Sequence, residues 1–141
     1  MDSKKFLLGG IIGSIVNFFL GWLVWGMLLG KIMRDYSTHT PGVFRSPETM
    51  IWWALVVGNI GFGFLIAYVL SKANISTAAS GAVTGAVVGL LVVIGIDFIM
   101  YAQMKVFGLK VIAIDAASSL VVNAIVGAVV GWFLGRGSKT S

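Results

Sequence analysis

Two acidic residues, Asp97 and Asp115, lie in long apolar stretches of the sequence. An acidic side chain inside a membrane span is costly and by default suggests a function. Two carboxylates that met in a low-dielectric interior could not both ionise easily, so a proton relay or a cation site would follow. The alternative is that each acid is hydrated near the membrane surface, or pairs with Lys105, Lys110 or Arg34.

Three asparagines lie near the middle of three apolar segments, roughly 15 Å from either end of a helix. A buried amide must find a partner, so they could form an internal clamp between helices. The alternative is a polar site at the membrane midplane for a substrate or water. The whole candidate intramembrane polar site comprises Asp97, Asp115, Asn17, Asn59, Asn123, Ser119 and Tyr101.

Most catalytic chemistry is excluded by composition. There is no cysteine, which removes disulfides, thiolate catalysis and cysteine-ligated metals. His39 is the single histidine and lies in a loop, and no hydrolase triad, zinc-protease, P-loop or dinucleotide pattern is present. We therefore predict no enzyme, no cofactor, no metal site and no catalytic residue. The net charge of +5 does not indicate nucleic-acid binding, because the cations are scattered at the ends of apolar segments.

The elements that must position these residues are four apolar helices. The chain has 141 residues, of which 58% are hydrophobic and 11% charged, against about 25% charged in soluble domains. A helix needs about 20 apolar residues to span the hydrocarbon. The sequence predicts an all-α integral membrane protein, an antiparallel bundle of four transmembrane helices in a single domain, 1–141. Its spans are 6–30, 50–70, 78–102 and 111–135, with one long polar loop at 31–49.

The connections indicate how the helices are arranged. Short loops predict that the second and third spans, and the third and fourth, are antiparallel neighbours. The run Ser46, Pro47 and Glu48 is typical of a helix start, which would begin the second helix ahead of its apolar part.

The charged residues and the tryptophans bear on which side of the membrane the termini and the loops face. The basic residues divide five against five between Lys4, Lys5, Lys72, Arg136 and Lys139 on the terminal face and Lys31, Arg34, Arg45, Lys105 and Lys110 on the other. The acidic residues of the long loop favour cytoplasmic termini, in a multi-pass protein of the cell membrane, expected to be a bacterial inner membrane. Tryptophans towards the long-loop face, including Trp22 and Trp25, are typical of an interfacial belt.

Glycines recur at a spacing of four, which places them on one helix face. Small residues there let membrane helices approach closely. The pattern predicts a tight bundle or a dimer seam, with a glycine-lined pore as the alternative. The residues assigned to helix packing are Gly13, Gly21, Gly81, Gly85, Gly89, Gly127 and Gly131.

Two regions carry a family resemblance. The segment 21–31, GWLVWGMLLGK, resembles the end of the first span in a family of small bacterial four-span membrane proteins classed as a domain of unknown function. The segment 109–115, followed by 121–132, is similar to that family's last span, although the family often has a Trp-Tyr pair where Trp22 and Trp25 are spread apart. The resemblance implies the four-span fold and singles out Asp115, but implies no activity.

Three classes of function stay open at this point. A structural, assembly or accessory protein of the lipid bilayer, as a possible homo-oligomer, is favoured by the glycines and the scarcity of catalytic groups. The second hypothesis is a transporter or channel for a small solute, proton or cation that uses Asp97 and Asp115. Multidrug exporters of four spans rely on a glutamate in the first span, which this chain lacks. An intramembrane enzyme comes last.

Overall fold

The computed structural model of the protein describes residues 2–136, so Lys139 lies outside the described residues. Within them the chain is helical and has no strand, only an isolated bridge between Ser37 and Phe107. Four helices are long and apolar enough to cross a membrane, which confirms the predicted number of candidate spans. The elements are α1 (Ser3–Gly21), a π-helix (Trp22–Leu28) that continues α1, α2 (Gly30–Asp35), a 3-10 turn (Pro47–Thr49), α3 (Trp52–Lys72), α4 (Ala78–Gln103) and α5 (Leu109–Gly135).

Local capping explains several of the helix ends. Asp2 caps α1 by accepting from the backbone N–H groups of Lys4 and Lys5, and Thr77 caps α4 by accepting from Ser80. The end of α3 is a Schellman motif, in which the Ile75 N–H bonds to the Leu70 carbonyl at 2.9 Å.

Asn74 makes this turn possible. It takes the left-handed conformation (φ 54°) that the motif requires just past the helix end, where glycine is the usual residue and asparagine the next choice. Its N–H also bonds to the Ser71 carbonyl, so two of the last α3 carbonyls are satisfied.

The long connection differs from the prediction in two ways. Its first part is the helix α2 rather than loop. The predicted helix start at Ser46 and Pro47 produces only a 3-10 turn, because Met50 is extended (ψ 135°) and α3 begins at Trp52. Within the turn, a hydrogen bond from the Ser46 side chain lowers the pKa of Glu48.

The helices pack as two close pairs, α4 with α5 and α1 with α3, and α5 joins the pairs by contacting both α1 and α3. The prediction that the second and third spans are neighbours is wrong, since α3 barely touches α4. The physical reason is that α3 directs its buried residues Ile66, Ala67 and Leu70 into a core shared with α5. The glycine face of α4 is already filled by α5.

The apolar core lies in the half of the molecule that contains the last turns of α3 and α5. Its buried members are Ile66, Ala67, Leu70, Val122, Val126, Val130 and Leu134. Asp97, near the end of α4, and Asp115, near the start of α5, therefore lie in the opposite half, away from this core.

Candidate functional site: a paired carboxylate site

The glycine seam between α4 and α5 sets the position of the two aspartates. A Cβ atom on Gly81 would overlap the carbonyl oxygen of Gly127, and one on Gly85 would overlap the carbonyl oxygen of Asn123. Further along α4, a Cβ atom on Gly89 would overlap the Asn123 side chain. From Gly81 to Gly85 the contact moves back along α5 from Gly127 to Asn123, and Gly89 contacts the Asn123 side chain. Two steps of four residues beyond Gly89 and Asn123, Asp97 on α4 comes opposite Asp115 on α5.

The two carboxyl groups do meet. Asp97 is only 8% exposed, and its carboxyl group lies close enough to that of Asp115 for the two to interact electrostatically. An ionised carboxylate can only accept hydrogen bonds. A hydrogen bond between the two acids therefore requires that at least one of them carries a proton.

Trp25 completes the site from the first span. Its indole Nε1–H donates to Asp115 Oδ1 at 2.5 Å, across a sequence separation of 90 residues. Trp25 belongs to the π-helix Trp22–Leu28, whose wider turn is shown by the bond from the Leu29 N–H to the Val24 carbonyl. π-Helical turns are rare and occur frequently at functional sites.

Sequence reasoning assigned Trp25 to an interfacial belt and missed this contact. The only feature of the sequence that could have pointed to Trp25 was its position near the long-loop end of the first span. The other tryptophans at that end share this position. Trp22, in the same π-helix, is 54% exposed and retains the membrane-facing interpretation.

Basic residues do not neutralise the acids. Within residues 2–136, neither Asp97 nor Asp115 forms an ion pair with Lys105, Lys110 or Arg34. The ammonium group of Lys110 instead lies 3.7 Å from the centre of the Tyr36 ring, a cation–π contact.

The segment that follows α2 pairs with the loop between α4 and α5, at the end of the bundle where the two aspartates lie. The Thr38 N–H donates to the Val106 carbonyl at 2.6 Å, next to the bridge between Ser37 and Phe107. The segment that follows α2 is thereby tied to the loop that joins α4 to α5, close along the chain to both aspartates.

The three asparagines do not form one layer. Asn17 Nδ2 donates to Asn59 Oδ1 at 2.8 Å, and this bond links α1 to α3. Asn59 in turn donates to the Leu55 carbonyl within α3. Asn123 lies apart, in the α4–α5 seam, where its Nδ2 donates to the Ser119 carbonyl. Asn123 Oδ1 is buried and has no hydrogen-bond partner among the described residues.

The other residues of the predicted polar site, and the predicted packing glycines, lie outside the carboxylate pair. Ser119 is buried, while Tyr101 is exposed and has no hydrogen bond to the acids within residues 2–136. Gly131 packs in the α4–α5 seam against Gly81, and Gly13 contacts Gly63 and Val130.

Gly21 does not pack as predicted, since a Cβ atom there would have no neighbour closer than 3.9 Å. The α1–α3 interface includes the predicted Gly13 and also residues that the sequence reasoning did not select. Ser14 Oγ donates to the Gly10 carbonyl at 2.7 Å and lies against Gly63.

The arrangement is suited to holding a proton. It offers two carboxyl groups and one N–H donor, and the described residues contain no group of three or more histidine, cysteine or acidic side chains that could hold a metal ion.

Comparison with known proteins adds no assignment. No family model matches the chain, and no curated protein or solved structure is significantly similar to it. The resemblance to the four-span family therefore stays a prediction.

Proposed function

We propose that the protein is a multi-pass membrane protein whose four long helices cross the bilayer in antiparallel order, with both termini on the cytoplasmic side. The hydropathy of the four helices supports insertion. The contact register of α4 and α5, in which positions later in one helix meet earlier positions in the other, supports an alternating order for these two helices.

Within this frame, we propose that the protein transports or conducts protons or small cations through the Asp97–Asp115 pair. The observation that carries the proposal is a buried carboxyl, 8% exposed, that lies beside a second carboxyl and has no basic partner in the described chain. Burying an acid at this depth is costly. A purely structural contact would be made at lower cost by an amide pair such as Asn17 and Asn59.

An assembly or accessory role, as a homo-oligomer, is the second candidate. The glycine stripes of α4 and α5 support it less than the sequence suggested, because their contacts lie within one chain. The observation in its favour is an outward-facing groove of about 360 Å³ between α1 and α3, lined by apolar residues with Ser14 and Asn59.

Proton flux into liposomes tests the first candidate. Wild-type protein is reconstituted, a pH gradient or a membrane potential is imposed, and internal pH is followed with a trapped dye. We expect Asp97→Asn and Asp115→Asn to reduce the flux to that of protein-free liposomes, since each removes one proton-binding carboxyl. Sodium and potassium flux are measured in parallel.

Asp35→Asn is the matched control, because it removes the same charge at an exposed position at the end of α2. We expect it to leave flux unchanged. Wild-type flux of protons and cations at the protein-free level would reject the transport function, as would full flux in both site variants.

A further inference from the structure

The substrate class of the carboxylate pair follows from its hydrogen-bond donors, and the inference rests on the function proposed above. We propose that the pair binds a single proton rather than a metal cation, that Asp97 carries this proton, and that Trp25 is the positioning residue that assigns it there.

The assignment begins with the indole. A tryptophan Nε1–H can only donate, so Asp115 Oδ1 must present a lone pair to Trp25. A donor aimed at a carboxyl group favours its ionised form. Asp115 is therefore the hydrogen-bond acceptor of the pair.

Asp97 has the opposite environment. It is more buried than Asp115, and its carboxyl group has no N–H or basic partner among the described residues. Burial without a donor disfavours the charged form of an acid. With a proton on Asp97, its O–H donates to Asp115, and the chain of bonds runs from Asp97 to Asp115 with Trp25 donating from the other side.

The Trp25 indole N–H also disfavours a metal cation at this site. Calcium and magnesium ions in proteins take six or more oxygen ligands, waters included. Here one oxygen of Asp115 already accepts the indole N–H, whose positive end points at the site. The described chain also has no third acidic group nearby to complete a ligand set.

Infrared spectroscopy of the purified protein in lipid tests this directly, through the carbonyl stretching band of a protonated carboxylic acid, followed from alkaline to mildly acidic pH. Labelling aspartate carboxyls with ¹³C in the wild type shows that the band comes from an aspartate. We expect Asp97→Asn to abolish the band and Asp115→Asn to keep it. Circular dichroism and gel filtration establish that each variant is folded.

Trp25 is tested in a background where Asp97 is already removed. Trp25→Phe combined with Asp97→Ala should restore a protonated band, now from Asp115, because that acid has lost its donor and alanine supplies none. Trp22→Phe with Asp97→Ala is the matched control and should show no band, since Trp22 is an exposed residue of the same π-helix.

Three results would overturn the inference. The first is a band that survives in Asp97→Asn and disappears in Asp115→Asn. The second is no difference between the Trp25 and Trp22 double variants. The third is loss of the wild-type band on adding sodium, potassium, magnesium or calcium chloride at fixed pH, which would make the pair a cation site. The band reports the position of the proton whether or not flux occurs. An absence of flux with the expected bands therefore rejects the transport function alone.

Discussion

At the scale of single residues, the polar groups of the interior differ in how well they are satisfied. Asn17 donates to Asn59, and Asn59 itself donates to the Leu55 carbonyl on its own helix. Asn123 donates to Ser119 but leaves Oδ1 buried and unpaired within residues 2–136. The amide pair is therefore the residue-level link between α1 and α3, and Asn123 has no comparable link to another helix.

A double-mutant cycle measures that link. We expect the coupling free energy between Asn17→Ala and Asn59→Ala to be about 0.6 kcal/mol, the average for interhelical hydrogen bonds in membranes. The measurement is the free energy of unfolding in mixed micelles under increasing denaturing detergent.

The cycle of Asn17→Ala with Asn123→Ala is the control, because these two side chains share no hydrogen bond. Its coupling should be near zero. Equal coupling in both cycles would mean that all three asparagines form one internal clamp between helices, which is what the sequence suggested.

At the scale of helices, backbone contact holds α4 to α5. Gly81, Gly85 and Gly127 each lie so close to the opposite backbone that a Cβ atom would overlap a carbonyl oxygen or main-chain carbon. Such contact needs glycine, because any side chain would push the helices apart. By contrast, a Cβ atom on Gly95 of α4 would have no neighbour within 4 Å.

The contrast between the seam glycines and Gly95 leads to a prediction for two glycines of α4. Gly85→Ala should lower the free energy of unfolding by about 1–3 kcal/mol, the usual cost of overpacking, because the obstructing atoms are main-chain atoms that cannot turn away. Thermal unfolding in detergent, followed by circular dichroism, provides the measurement.

Gly95→Ala makes the same chemical change on the bare face of α4. It should leave stability unchanged or raise it by up to about 1 kcal/mol through the better helix propensity of alanine. If the two variants were equally destabilised, the glycine seam would not be what holds α4 to α5.

At the scale of the whole molecule, the pairs α1–α3 and α4–α5 meet through α5. The carboxylate site lies where the π-helical end of the first span reaches across to α5 through Trp25. The site therefore depends on how the two pairs dock and, in the proposed topology, on four crossings of the membrane that bring the connections of α2 and of α4–α5 to the same side.

The absence of cysteine makes the crossings testable. Single cysteines at Ser3, Ala73 and Thr40 can be labelled in intact cells with a maleimide that does not cross membranes. We expect Ser3→Cys and Ala73→Cys to resist labelling and Thr40→Cys to react, since the proposed topology puts Thr40 outside. Labelling of Thr40→Cys and Ser3→Cys from the same side would contradict four crossings, and the reverse pattern would invert the orientation.

Much of this protein follows from its sequence by local physics. Apolar runs of about 20 residues determine the four long helices, because length and hydropathy belong to each segment alone. The stripe of Gly81, Gly85 and Gly89 with Asp97 further along α4 identified the helix face that packs, because residues four apart share a face.

Only the tertiary structure decided which helices meet. Short loops favoured contact between α3 and α4, yet α3 packs on α1 and α5, because burying Ile66 and Leu70 in a shared core outweighs adjacency in the chain. The π-helix and the bond from Trp25 to Asp115 also depend on contacts between residues 90 positions apart. Helical periodicity relates neighbours along one segment, and it carries no information about a partner on another.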